Sequence, residues 1–327
     1  MADYKAIKGH TIETVAGDPS VLQVGDIWYS NTTKKIRGAK LAAGAWASGG
    51  TLTTGRAEFA GIGTPTAGMA VAGRTPPDTY VTLSETYDGS SWTEGADVNT
   101  ARKMLRGTGT TTAAMVAGGY DSPTGPGRLA TEIWDGSSWT TSPVTNATRQ
   151  SYGIAGASST SALCFGREPG FTYSSLSETW DGSSWTEGND LNSGRQVPGG
   201  VGIVTAALCV AGIGPPPANT TNVESYNGTS WSETTDINTA RWGHGSNGTT
   251  ALGMIYGGTP PTTGATESWD ESSWTEVADM STARFNSAQS QSPTNTNVAA
   301  FVAGGNTYTT ATEEWEVATI ASSFTSS

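Results

Sequence analysis

Histidine and cysteine are nearly missing from this chain: each occurs only twice in 327 residues. With His10 and His244 as the whole histidine supply, neither a zinc-hydrolase centre nor any other histidine-rich metal site can be assembled. The two cysteines point to no redox compartment. Basic residues are scarce as well, 17 Lys and Arg against 29 Asp and Glu, for a formal net charge of −12. Nucleic acid and anionic membranes, which need clustered Lys and Arg, are therefore not expected as partners. No run of 18 apolar residues occurs, so membrane insertion is not expected either. The start, Met1-Ala2-Asp3-Tyr4-Lys5, lacks the apolar stretch of a secretory signal, and a soluble chain without Sec export is the expectation. No long segment repeats apolar residues every 3.6 positions, so helices have no support and strands joined by turns remain.

What the chain does contain is a period. Trp46, Trp92, Trp139, Trp185, Trp231 and Trp274 recur at intervals of 46, 47, 46, 46 and 43, and Arg56, Arg102, Arg149, Arg195, Arg241 and Arg284 keep the same intervals. A period in the forties means one supersecondary unit per repeat, stacked as a propeller or solenoid.

The stretch from Arg102 to Trp139 displays the unit. After Arg102 comes a glycine- and threonine-rich strand, then the apolar run Ala113-Ala114-Met115-Val116-Ala117, then Gly118-Gly119 and a variable loop. Glu132-Ile133-Trp134, Asp135-Gly136-Ser137-Ser138 and Trp139-Thr140 read as strand, turn and strand. Four strands result, here called a to d, with strand b buried between neighbours and the glycines turning the backbone near a crowded centre. Ten of the twelve tryptophans hold repeat positions, which suits them to supply core between short polar strands. Cys164 and Cys209 fall in strands b of neighbouring repeats, one residue out of register, so their side chains leave opposite faces. A disulfide needs Cα atoms about 4.4–6.8 Å apart while packed sheets lie about 10 Å apart, so buried free thiols are expected. Each repeat Arg is matched by Glu85, Glu132, Glu178, Glu224, Glu267 or Glu313, two residues before the strand-c aromatic. Buried charges are normally paired, so a set of structural ion pairs is expected rather than an anion-binding arginine cluster.

These units resemble the kelch repeat: an apolar strand, Gly-Gly, a variable loop, an aromatic followed by Asp, a Trp five residues beyond, and an Arg before the next unit. The resemblance covers residues 44 to 316, with Gly-Gly intact at Gly118-Gly119, Gly257-Gly258 and Gly304-Gly305 and degraded at Gly73-Arg74, Gly166-Arg167 and Gly212-Ile213. The last unit reaches Trp315 but has no Asp-Gly turn and no fourth strand, while Trp46 is a fourth strand without a third. Joining the two completes a blade and removes open sheet edges. The expected fold is all-β: a six-bladed kelch-like β-propeller over residues 44–318, closed by its N-terminal strand, with an N-terminal attachment segment at 1–43 and a tail at 319–327. Within the attachment segment, residues 24–38 read as a β-hairpin too small to be stable alone, with Ile27, Trp28 and Tyr29 as attachment residues.

Galactose-oxidase-like kelch enzymes imply copper held by two His and two Tyr, a set this chain cannot supply, and no metal or other cofactor is expected. The Asp-Gly turns each bring one carboxylate, too few for calcium. Glycan hydrolysis needs two carboxylates about 5–9.5 Å apart, and Asp78 and Asp121 are the visible loop acids. The b–c loops vary while the strands repeat, as a binding surface on a rigid scaffold does. Tyr80, Tyr120, Phe171, Tyr173 and Tyr308 are their aromatic recognition candidates, and Trp242 and His244 also break the period. Gly25-Asp26-Ile27-Trp28-Tyr29 looks like short attachment elements of tailed-phage structural proteins, and the units resemble the repeats of marine bacteriophage virion proteins. That resemblance implies a non-enzymatic tail fibre, adhesin or decoration protein, made in the host cytoplasm and located in the virion. It would join other virion proteins through residues 1–43 and meet a host-surface glycan or protein through the b–c loops. An intracellular kelch interaction scaffold is the second expectation and a glycan-acting hydrolase the third.

Overall fold

The computed structural model describes residues 12–121, 129–166, 173–289 and 297–324; Phe171 lies outside them. The described residues are all strand, turn and loop, and they divide into two compact units, one within Trp46–Glu316 and a smaller one formed by residues 12–45 with 317–324.

The larger unit is a series of small four-stranded antiparallel sheets in a propeller-like build. The first sheet is Ala60–Thr64, Ala67–Val71, Ser84–Tyr87 and Trp92–Glu94, paired in the order a, b, c, d. The second (Arg106–Thr110, Ala113–Ala117, Thr131–Trp134, Trp139–Ser142) and the third (Gly153–Ser158, Ser161–Phe165, Ser177–Trp180, Trp185–Glu187) repeat that order. So do the fourth (Gly199–Ile203, Ala206–Val210, Val223–Tyr226, Trp231–Thr234) and the fifth (Gly245–Gly248, Gly253–Tyr256, Thr266–Trp269, Trp274–Val277). The sixth takes Ala288–Gln289, Ala299–Ala303 and Thr312–Glu316 from one end of the chain and Ala45–Ser48 from the other. Gly49 and Leu52 donate their N–H groups to Thr312 and Thr310, carrying that pairing past the strand.

Antiparallel order puts the b–c and d–a connections at one end of every sheet and the a–b and c–d turns at the other. The a strands are rich in glycine and alanine because successive ones lie against each other: a Cβ on Gly200 would come within 2.0 Å of the Ile154 carbonyl oxygen. Strands b are the core, buried along almost their whole length. Aromatic pairs across strands c and d close each sheet, with ring centroids 5.3 Å apart for Trp134 and Trp139 and 5.4 Å for Trp180 and Trp185. At the turn between them, Asp135 accepts the N–H groups of Ser137 and Ser138, both at 2.8 Å. These bonds, with those from the serine hydroxyls, hold its carboxylate down at about 2, as at Asp88, Asp181 and Asp270. Cys164 and Cys209 are buried free thiols, and burial raises both well above the usual thiol range.

The smaller unit is a four-stranded sheet. Ile27–Ser30 and Lys35–Leu41 form the hairpin read from the sequence, Glu13–Val15 adds a parallel strand, and Thr319–Ser323 pairs with Lys35–Leu41. Residues 319–323 are thus not a tail. They return to the hairpin because two strands alone bury too little to persist. Alternation splits the attachment trio. Trp28 is 2% exposed, with its indole N–H on Asp18, whereas Ile27 and Tyr29 share the opposite face with Ile36 and Ile320.

Candidate recognition site

The repeat arginines build the floor of the b–c end. Arg149 donates to Glu178 Oε1 from Nε at 3.0 Å and Nη2 at 2.8 Å. Its Nη1 reaches the carbonyls of Gly166 (2.8 Å) and Leu176 (3.1 Å), which stand at the two feet of the b–c loop. The guanidinium therefore clips each variable loop to the scaffold. Arg56–Glu85 (2.6 Å), Arg102–Glu132 (2.8 Å) and Arg284–Glu313 (2.7 Å) repeat the arrangement, as do Arg195–Glu224 and Arg241–Glu267. Both members of every pair are buried. Burial pulls the Arg56 and Arg284 guanidiniums down, and the paired glutamates pull them back up.

A third partner escaped the sequence reading. Asn99, Asn146, Asn192 and Asn238, three residues before an Arg, each give their main-chain N–H and Nδ2 to the glutamate Oε2. Nδ2 also donates to the carbonyl of the strand-d Trp. Thr53 and Ser281 keep only the main-chain bond to the glutamate Oε2. The signal was present, since these asparagines keep the arginine spacing.

Two residues past each Arg the backbone enters the left-handed region: Glu58 (φ 58°), Met104 (57°), Ser151 (52°), Val197 (53°), Gly243 (66°) and Asn286 (52°). The conformation costs a non-glycine residue roughly 1–2 kcal/mol and persists only where surroundings impose it. Here it aims the N–H groups of five of them along the row of repeats. Met104 N–H donates to Glu58 O (2.7 Å), Ser151 to Met104 (3.2 Å), Val197 to Ser151 (2.7 Å), Asn286 to Gly243 (2.9 Å) and Glu58 to Asn286 (2.9 Å).

Over this belt lies a cavity of about 290 Å³ to which every repeat contributes: Phe59, Leu105, Ser151, Val197, Trp242 and Phe285, among others. Trp242, one of the two residues noted for breaking the period, meets Phe285 edge-on at 5.6 Å. His244, the other, is buried, with Nδ1 3.2 Å from Gly245 O, and burial, with Arg241 next, lowers it to about 4. Arg106 also lines the cavity and was not singled out from the sequence. The equivalent residue, four past the repeat Arg, is Ala60, Gly153, Gly199, Gly245 or Ala288.

Beside the cavity the structure gathers three of the five loop aromatics. Tyr80 and Tyr120 have ring centroids 6.2 Å apart, Lys103 Nζ sits 4.9 Å above the Tyr80 ring, and the Arg74 guanidinium lies 5.2 Å from the Tyr308 ring and donates to its hydroxyl. Glu58 joins this cluster to the cavity wall through Arg74 (3.0 Å) and Lys103 (3.7 Å). Asp78 is ion-paired with the same two cations. Tyr173 is half-buried ahead of strand c of the third sheet and takes no part in these contacts.

Fold and site together define an all-β, propeller-like protein with a concave polar and aromatic face where its repeats converge. No family model matches the chain, and no curated protein matches it. Solved structures do: one described as "Structure of YjhT" has a TM-score of 0.65 at 12% identity and covers 83% of this chain and 99% of its own. At that identity the likeness concerns the fold alone.

Proposed function

We propose that the chain is a non-enzymatic bacteriophage virion protein, in which a six-bladed kelch-like propeller, closed by its N-terminal strand, presents the b–c face to a host-surface glycan or protein. Residues 1–43 hold it to other virion proteins. The observation that carries a recognition role is that the residues breaking the period, Trp242, Arg106 and the Tyr80, Tyr120 and Tyr308 group, collect at one end of the unit. Side chains that differ from repeat to repeat on a repeating frame are how a binding surface on a rigid scaffold is built.

Three contacts support the closed ring. The innermost strands touch in chain order, and Ala288–Gln289 of the sixth sheet touches Ala60–Thr64 of the first. The belt bond from Glu58 to Asn286 links the same two repeats. Trp92 of the first sheet donates its indole N–H to Thr312 of the sixth at 2.9 Å, as Trp185 of the third does to Thr131 of the second.

The attachment role rests on unpaired apolar surface. Val21, Val24, Ile27, Ile36, Leu41, Ile320 and Phe324 are all exposed in the small unit, against Val144 and Leu252 in the large one, among the described residues. Ile27, Ile36 and Ile320 share one sheet face, a surface that calls for a partner. Immunolabelling of purified particles tests the assignment: labelled virions that lose the protein on deletion of residues 1–43 are expected. Absence of the protein from particles would leave the intracellular scaffold as the better reading.

A further inference from the structure

We propose that the cavity at the convergence of the repeats is a binding site for a small organic carboxylate, with Arg106 as the anion partner and Trp242 and Phe285 as the apolar wall. It deepens the recognition role of this face and is independent of the virion assignment.

Among the arginines around the cavity, Arg106 has no counter-ion. Arg74 is paired with Glu58 and Asp78, and the repeat arginines each hold their glutamate. Arg106 gives Nε to the Tyr152 carbonyl at 3.1 Å and makes no ion pair among the described residues. The acid on the cavity wall, Glu58, is already shared by Arg74 and Lys103. Arg106 is partly buried, and burial pulls its guanidinium below the ordinary value with no carboxylate to oppose it. A guanidinium partly withdrawn from water without a carboxylate is costly unless something supplies one.

The position sharpens this. Glycine or alanine stands at the equivalent position in the other five repeats, so a charged side chain there is peculiar to this one. The remaining donors of Arg106 suit the paired oxygens of a carboxylate, which a guanidinium binds in a two-pronged fashion. Gln196 and Asn286 add polar groups on the rim, and the volume of about 290 Å³ lies near the lower end of the range for small-molecule sites. In a chain of net charge −12, an anion is held only where a cation is left over.

The test is calorimetric titration of the purified protein with benzoate and with benzamide, which share shape and differ in charge. Benzoate is expected to bind about 10- to 100-fold more tightly than benzamide. Arg106→Gln is expected to abolish the difference while leaving the melting temperature within a few degrees, and Arg106→Lys to retain part of it. Equal binding of the two probes, sulfate binding as tightly as benzoate, or benzoate binding untouched by Arg106→Gln would overturn the proposal. The comparison on the unaltered protein decides the matter even if a variant fails to fold. None of these results bears on whether the protein resides in particles.

Discussion

Replacing Glu178 by Gln keeps its shape and removes its charge, and the environment leaves the amide nowhere to go. Oε1 accepts from Arg149 Nε (3.0 Å), Arg149 Nη2 (2.8 Å) and the Ala147 N–H (3.2 Å), while Oε2 accepts from the Asn146 N–H (2.7 Å) and Asn146 Nδ2 (3.1 Å). Whichever oxygen becomes NH2, donors face donors, and Arg149 keeps a buried charge without its counter-ion. Breaking such a pair from one side costs about 3–5 kcal/mol. In a unit of this size that lowers the melting temperature by on the order of 10 °C. Glu187→Gln is the control: Glu187 stands opposite Glu178 across strands c and d but is exposed, and its change should stay within about 0.5 kcal/mol. Adding Arg149→Met to Glu178→Gln should cost less than the sum of the single changes, because no buried charge is then stranded. Denaturant unfolding of the unaltered protein, the three single variants and the double variant measures all of this. A loss below about 1 kcal/mol for Glu178→Gln would refute the idea that the arginine–glutamate clips hold the loops.

Stability should also fall with acid in a defined window. His244 is neutral in the fold down to about 4, whereas the unfolded chain protonates near 6.5, so between these values the unfolded state binds the extra proton. The stability present above 6.5 is lost as pH falls to about 4, by about 3 kcal/mol at roughly 1.36 kcal/mol per unit, and His244→Gln should flatten that stretch of the melting-versus-pH curve. The turn aspartates, held at about 2, act lower: their contribution is present above about 3.8 and is lost only as pH falls towards 2. Trp46→Ala removes a ring 5.0 Å from Tyr256 and 5.7 Å from Trp315 and an indole bond to Thr266 at 3.0 Å, and should cost about 3 kcal/mol in thermal unfolding. Deleting residues 1–48 should go further and expose the edge of Thr312–Glu316, detected as aggregation in light scattering.

Repetition made the architecture readable. The tryptophan and arginine spacings located the strands, and the incomplete last unit together with the orphan Trp46 anticipated a sheet built from both ends of the chain, as Ala45–Ser48 beside Thr312–Glu316 is. What stayed hidden has physical reasons. The belt residues Glu58, Met104, Ser151, Val197 and Asn286 share a backbone conformation and no side-chain type, so nothing in their letters marks them. Thr319–Ser323 is short and mostly polar, and its partner lies some 280 positions away, as Ser323 opposite Arg37 illustrates. Trp28 stands among Ile27 and Tyr29 in the sequence, but strand alternation sends it to the other face. Arg106 is legible as the one large side chain at a glycine or alanine position, but a single exception carries no period that would mark it as functional.

The closed ring with a single convergent face is best tested by amide hydrogen exchange at Leu52 and Glu58. Their N–H groups bond to Thr310 O and Asn286 O, joining the first and last parts of the chain, while Val197 makes the same belt bond between interior repeats. In a closed ring Leu52 and Glu58 exchange as slowly as Val197, all three through global opening. Exchange at Leu52 and Glu58 faster by several orders of magnitude than at Val197 would mean that the sixth and first repeats come apart, and the closed ring would have to be abandoned.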